Sequence, residues 1–163
     1  MAHEELIKAW GPTTIAPRSA AADLKRDLAA GLHAAIEGAK KRDRELMQAG
    51  VKWNVQEGER VVDQLHDVMG FALIKFPGPQ NRNFLSAFRA MSGGDDIIHV
   101  PGGRVYLNTA YGGGFSLSFF TDSLNLGPHD QYMSVNEAAQ SAGLQVLERA
   151  GWLRGARVQT RID

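Results

Sequence analysis

The residues best suited to chemistry are Asp95, Asp96 and His99, with His129 and Asp130 further along. Imidazole and carboxylate groups are ligands for zinc or iron, and a two-His, one-carboxylate set leaves coordination positions open for substrate. The spacing argues against it. No HxxxH, HxH or HExxH occurs, so no single element would offer two imidazoles to one ion. Asp95 and Asp96 follow a glycine pair and read more simply as the start of a strand. His99 could also serve a triad with Asp95 and Ser116 or Ser118. However, there is no GxSxG elbow, and serines alternating with Phe115, Leu117 and Phe119 read first as the polar face of a strand.

Gly112-Gly113-Gly114 invites comparison with a phosphate cradle. Phosphate loops of the P-loop or dinucleotide kind lead from a strand into a helix, whose N-terminus supplies the positive dipole. Here the following segment alternates like a strand. A kinase-type glycine loop would need a lysine on a later strand, and no lysine follows Lys75. The glycines therefore read as a turn. Arg149, Arg154, Arg157 and Arg161 form a basic C-terminal cluster. Residues 134–153 have the alanine-rich helix and glycine of a helix-turn-helix, but the second helix would have only about one turn, too short to read a major groove.

These candidates are set on a chain of 163 residues with no cysteine, which excludes disulfides, thiolate nucleophiles and cysteine-ligated metals. Lys plus Arg and Asp plus Glu both number 18, so the net charge is zero. This weighs against a broad nucleic-acid or anionic-membrane footprint and is compatible with life in an assembly. No run approaches the roughly 18 apolar residues of a membrane span, and MAHEELIKAW lacks the apolar core of a secretory signal. The expected setting is cytoplasmic or within a viral particle.

The elements that must position these residues follow from periodicity. Residues 1–18 read as an N-terminal arm with a short helix carrying Leu6, Ile7 and Trp10, ended by Gly11, Pro12 and Pro17. Residues 19–163 read as one domain. Ser19 would cap a long helix to about residue 49, with Leu24, Leu28, Leu32, Ala35, Ile36, Ala39, Leu46 and Met47 as its apolar stripe. Gly31 and Gly38 lie seven apart on one face, where either another backbone approaches or, more simply, the helix bends or breaks near one of them. A helix of that length is about 45 Å long, against a domain diameter of roughly 40 Å, so the charged run Lys40–Glu45 is expected to overhang into solvent. Val51, Trp53 and Val55 alternate as a very short strand, or Asn54 caps a helix. Either way, Val61, Val62, Leu65, Val68 and Met69 predict a helical core face through Asp67.

Beyond it, strands are expected at about 71–76, 97–100, 104–110, 115–120 and 156–162, with a short helix capped by Asn81 or Asn83. Pro101-Gly102-Gly103 suits a type II turn, whose twist predicts a longer or bulged hairpin loop. Ser134-Val135-Asn136-Glu137 is a capping-box sequence opening a helix over 134–150. Trp10, Trp53 and Trp152 each sit at the end of an element, where an indole can pack at the core edge. The fold expectation is α+β: an antiparallel sheet of four or five strands covered by helices 19–49 and 134–150.

No set of side chains converges on catalysis, and no cofactor or metal is implied. The expected function is a non-catalytic structural or interaction subunit of a larger assembly, in a viral particle or a bacterial complex. Its partners would be other protein subunits, including copies of itself, with neither membrane nor nucleic acid. Docking would use Leu6, Ile7 and Trp10 of the arm and Lys40, Lys41 and Arg44 of the long helix. The alternative is a small metal- or ligand-dependent enzyme at the Asp95–Tyr111 edge of the sheet, using Asp96, His99, Tyr111 and His129.

Overall fold

A computed structural model describes residues 18–122 and 126–162. The first 17 residues, and with them Leu6, Ile7 and Trp10, lie outside the described residues. The fold is α+β. Helix α1 spans Arg18–Ala49 without a break, about 48 Å of helix. Its stripe is buried as the spacing requires: Leu24, Leu28, Leu32, Ala35, Ala39 and Leu46 are all inaccessible or nearly so. Strands β1 (Trp53–Glu57) and β2 (Arg60–Leu65) form a two-stranded hairpin. Then come β3 (Gly70–Phe76), helix α2 (Arg82–Ser92), β4 (Ile97–Val100), β5 (Gly103–Thr109), β6 (Phe115–Thr121), helix α3 (Met133–Arg149) and β7 (Arg157–Ile162). Among the described residues no helix is long and apolar enough to cross a membrane.

The main sheet has the order β4-β5-β6-β3-β7, with every neighbouring pair antiparallel. Its inner face presents Ile74, Phe76, Val105, Leu107, Leu117 and Phe119, all buried, and α1 and α3 lie against it and against each other. The glycines noted in α1 serve that contact. A methyl group on Gly38 would stand 3.0 Å from the Ala138 carbonyl oxygen and from the Ala142 Cβ of α3. Gly31 faces the ring of Phe119. The side chain of Asn81, almost fully buried, ties two connections together: it donates to the Pro77 and Arg154 carbonyls and accepts from the Arg154 amide, all within 2.9 Å.

Four local expectations are corrected. The helix expected through Asp67 is the β1–β2 hairpin instead. Glu57 pairs with Arg60, leaving the two-residue loop Gly58–Glu59 with Gly58 at φ +66°. A Gly-first two-residue loop between valine-rich runs is a hairpin signal, and β-branched Val55, Val61 and Val62 suit strands better than helices. The Pro101–Gly102 loop is neither long nor bulged: Val100 pairs directly with Gly103, and Gly102 supplies the positive φ of +89°. A side chain at Gly103 would collide with the Phe120 carbonyl, so only glycine lets β6 lie so close to this tight turn. The charged end of α1 does not overhang freely. Arg42 Nε donates to Ser134 Oγ at 3.2 Å, and Asp43 Oδ1 lies 3.0 Å from His129 Nδ1.

The fourth correction concerns the start of α3. Its N-cap is Tyr132, and the capping box at Ser134 does not form. Asp67, distant in sequence, substitutes for it: Oδ2 accepts the Ser134 amide at 2.8 Å, while the Val68 carbonyl accepts the Met133 amide. Burial opposes ionisation of Asp67, but hydrogen bonds from the Ser134 hydroxyl and amide, with help from the Val68 amide and Lys52, outweigh it and hold the carboxyl below its usual range. Loss of such a cap, as in Asp67→Ala, should cost about 1–2 kcal/mol at neutral pH. Because the folded pKa is depressed, this stabilisation is present above the unfolded-state pKa and is lost as the pH falls through the folded value. Melting curves of the two proteins should therefore stand apart at neutral pH and converge in acid.

Candidate functional site

The sequence-derived ligand residues occupy separate places. Asp96, ahead of β4, accepts Arg89 Nη1 at 2.7 Å. His99 is exposed on β4 opposite Arg104. Tyr111, 92% exposed in the β5–β6 turn, offers its carbonyl to Lys75 Nζ. His129 sits in the 3-10 turn before α3, paired with Asp43 and stacked on Tyr132. Among the described residues, no hydrogen bond or ion pair joins any two of these four, and no group of three His, Asp or Glu could hold a metal ion. Ser116 and Ser118 are in register with Asn108 and Tyr106, whereas His99 faces Arg104. Gly112, Gly113 and Gly114 all have positive φ, and the Ala110 amide donates to the Gly114 carbonyl across the turn. Of the helix residues expected at an interface, Lys41 and Arg44 are exposed and Lys40 is half-buried.

Two surfaces remain that the internal packing does not explain. The first is the outer face of the main sheet. The three described α-helices lie on the inner face, and no described element covers the other. Strand alternation sends Phe71, Tyr106 and Phe120 outward together with Lys75, Arg104, Arg157 and Arg161. Phe120 is 50% exposed and Phe71 42%. None of the five strands contains an aspartate or glutamate. A chain with no net charge thus carries a cationic, aromatic sheet face. Arg104 is spread over that face: its guanidinium carbon lies 4.7 Å from the Phe120 ring centre and 5.6 Å from that of Tyr106, and its Nε donates to the Tyr106 hydroxyl. Asp122, just beyond β6, pairs with it at 3.3 Å.

This face is split by a cleft. β3 and β6 pair only where Ile74–Phe76 meets Phe115–Leu117. Beyond that point they part, and α3 fills the gap from below with two amides one turn apart. Gln140 accepts the Phe119 amide and donates to the Phe119 carbonyl, both at 2.9 Å. Asn136 donates to the Gly70 carbonyl on the opposite strand at 2.8 Å. The opening is a cavity of about 460 Å³ with Phe71 and Phe120 beside it and Asp122 and Asp130 among its lining.

The second surface is the β1–β2 hairpin. Every residue of β1 is exposed, as is every residue of β2 except the half-buried Leu65. Trp53 (43%) and Val62 (47%) stand in solvent with Val55 and Val61. Lys52 Nζ lies 5.2 Å from the centre of the Trp53 ring. A register shift between Val55 and Gln56 gives the ribbon a bulge. Its base is anchored to the body: the His66 amide donates to the Tyr132 hydroxyl, and His66 Nδ1 lies 3.3 Å from the Leu46 carbonyl. The hairpin carries Glu57, Glu59 and Asp63 against Arg60 alone.

Both surfaces escaped the sequence reading. The hairpin was hidden by a helical reading of its valines, and the cationic face by the neutral total charge. The available signal is the absence of acids from the five segments 71–76, 97–100, 104–110, 115–120 and 156–162. No protein family, curated protein or solved structure matches this chain.

Proposed function

We propose that the chain is a non-catalytic interaction subunit of a larger assembly, of the kind found in viral particles or bacterial complexes, and that its partners include copies of itself. The observation that carries this reading is the β1–β2 hairpin, which holds Trp53, Val55, Val61 and Val62 away from the core. A lone two-stranded ribbon is at best marginally stable in water. Exposed apolar residues grouped on one projecting element mark a contact surface more often than scattered ones do. The uncovered sheet face, with Phe71 and Phe120 half exposed, is a second such surface. The competing reading, an enzyme using Asp96 and His99, has less support, since Asp96 is engaged by Arg89 and His99 faces Arg104.

Sedimentation velocity of the purified chain tests the reading. A mass well above that of one chain is expected at about 0.1 mM, where contacts with micromolar dissociation constants are saturated. A variant with residues 53–65 replaced by a short glycine link should sediment as a monomer while keeping its helical circular dichroism. A wild-type chain that stays monomeric throughout would sink the proposal.

A further inference from the structure

We infer that the assembly is head-to-tail: the β1–β2 hairpin of one copy lies along β3 on the uncovered sheet face of the next, with Trp53 seated in the cleft between β3 and β6. This rests on the interaction-subunit reading and specifies its contact.

Charge decides the pairing. The hairpin has three carboxylates, Glu57, Glu59 and Asp63, against Arg60 within it and Lys52 at its base. The sheet strands have Lys75, Arg104, Arg157 and Arg161 and no carboxylate, Arg104 alone being paired among the described residues, with Asp122 beyond β6. A two-fold contact of sheet on sheet would set arginines against arginines, and hairpin on hairpin would set acids against acids. Only unlike surfaces match, and such contacts are heterologous, closing into rings or extending as filaments.

Spacing agrees with charge. Phe71 flanks the cleft at one end of β3, and Lys75, paired with Arg157, lies four residues along. Trp53 stands at one end of β1, and Glu57 lies four residues along. Both separations are about 13 Å in extended chain. An indole placed between Phe71 and Phe120 therefore sets the acidic hairpin tip over Lys75 and Arg157. Lys52, held over the Trp53 ring, arrives beside Asp122 and Asp130 of the cleft. The cation next to the indole thus meets the two acids of the cleft's described lining.

A charge swap tests this. Glu57→Lys with Glu59→Lys makes a basic hairpin, and Arg157→Glu with Arg161→Glu makes an acidic patch on the sheet. All four positions are exposed, so the fold should survive, as circular dichroism will check. Each double variant alone should associate at least about 100-fold more weakly than wild type, since like charges then meet. Mixing the two should restore assembly, because each hairpin again meets an opposite sheet. Trp53→Ala should weaken association without changing its charge dependence.

If both double variants assemble like wild type, the inference is overturned while the interaction-subunit reading stands, and loss of assembly on removal of residues 1–17 would then place the contact in that arm. If wild type is monomeric, both fail. If wild type binds an oligothymidylate and the Arg157→Glu/Arg161→Glu variant does not, the sheet is a stacking platform for single strands and the inference is overturned as well.

Discussion

Phe119→Ala should destabilise the protein by about 3–5 kcal/mol, the usual cost of removing a fully packed ring. Phe119 points from β6 into the core, where it meets α1 and α3 at a glycine on each. A methyl group on Gly31 would stand 2.8 Å from ring carbon Cζ, and one on Gly143 would overlap Cε2. The two helices therefore approach the sheet closely because each omits a side chain where the ring lies. Gly143→Ala carries opposing terms: it gains about 1 kcal/mol of helix propensity but forces a displacement of a packed ring, at about 1–3 kcal/mol. The ring cannot give way easily, since Phe119 is fixed at its own backbone by Gln140. In the Phe119→Ala background the clash disappears and the propensity gain remains. The double variant should thus be more stable than Phe119→Ala alone, although Gly143→Ala destabilises wild type. A coupling energy of that sign in urea unfolding marks ring and glycine as one packing unit. Simple additivity would refute it.

The same contact shows how much could be read from the chain. Gly31 and Gly38, seven apart within a leucine stripe, are compatible with either a close approach or a bend, and the structure has the first in an unbroken helix, with the Phe119 ring at one glycine and the α3 backbone at the other. The five strands of the main sheet and both long helices were legible for the same reason: their apolar positions repeat at two or at three and four residues. The hairpin was not legible, because Val61, Val62, Leu65, Val68 and Met69 fit a helical face as well as they fit two strands. Periodicity reports which residues share a side of an element but not whether that side is covered. Val61 and Val62 are apolar and exposed, which reverses the inference from pattern to core. The start of α3 was misread for a related reason. Ser134 and Glu137 are spaced for a local cap, yet Asp67 is brought to the same amide by the tertiary fold and takes the position. The candidate surfaces are invisible in the net charge of the whole chain, which is zero. Acids gather in the hairpin and helices while the sheet has none, and that segregation becomes visible only once the strands are assigned.

Gln140 seals the β6 side of the cleft that divides the sheet, and Gln140→Leu should cost about 2–6 kcal/mol. Gln140 is buried and satisfies both the N–H and the C=O of Phe119 where β3 has moved away. Leucine nearly matches its size but neither donates nor accepts, leaving two main-chain groups unpaired at about 1–3 kcal/mol each. Gln140→Glu separates hydrogen bonding from packing. An ionised carboxylate can accept the Phe119 amide but cannot donate to its carbonyl, so oxygen is placed against oxygen in a buried site. Protonation restores the donor. Burial and this donation both favour the neutral acid, raising its pKa in the folded protein above the unfolded value. The stability contributed by the neutral form is then complete below the unfolded pKa and lost as the pH rises through the folded one. Gln140→Glu should therefore approach wild-type stability in acid and fall well below it at neutral pH, opposite in sense to the acid sensitivity that Asp67 confers. A Gln140→Glu deficit that is independent of pH would show that Gln140 acts by shape alone. Gln140→Leu also leaves the Phe119 main chain facing an open gap in the sheet, the kind of unpaired edge that recruits a strand from another molecule. Its loss of stability should then be accompanied by aggregation that Gln140→Glu in acid does not show.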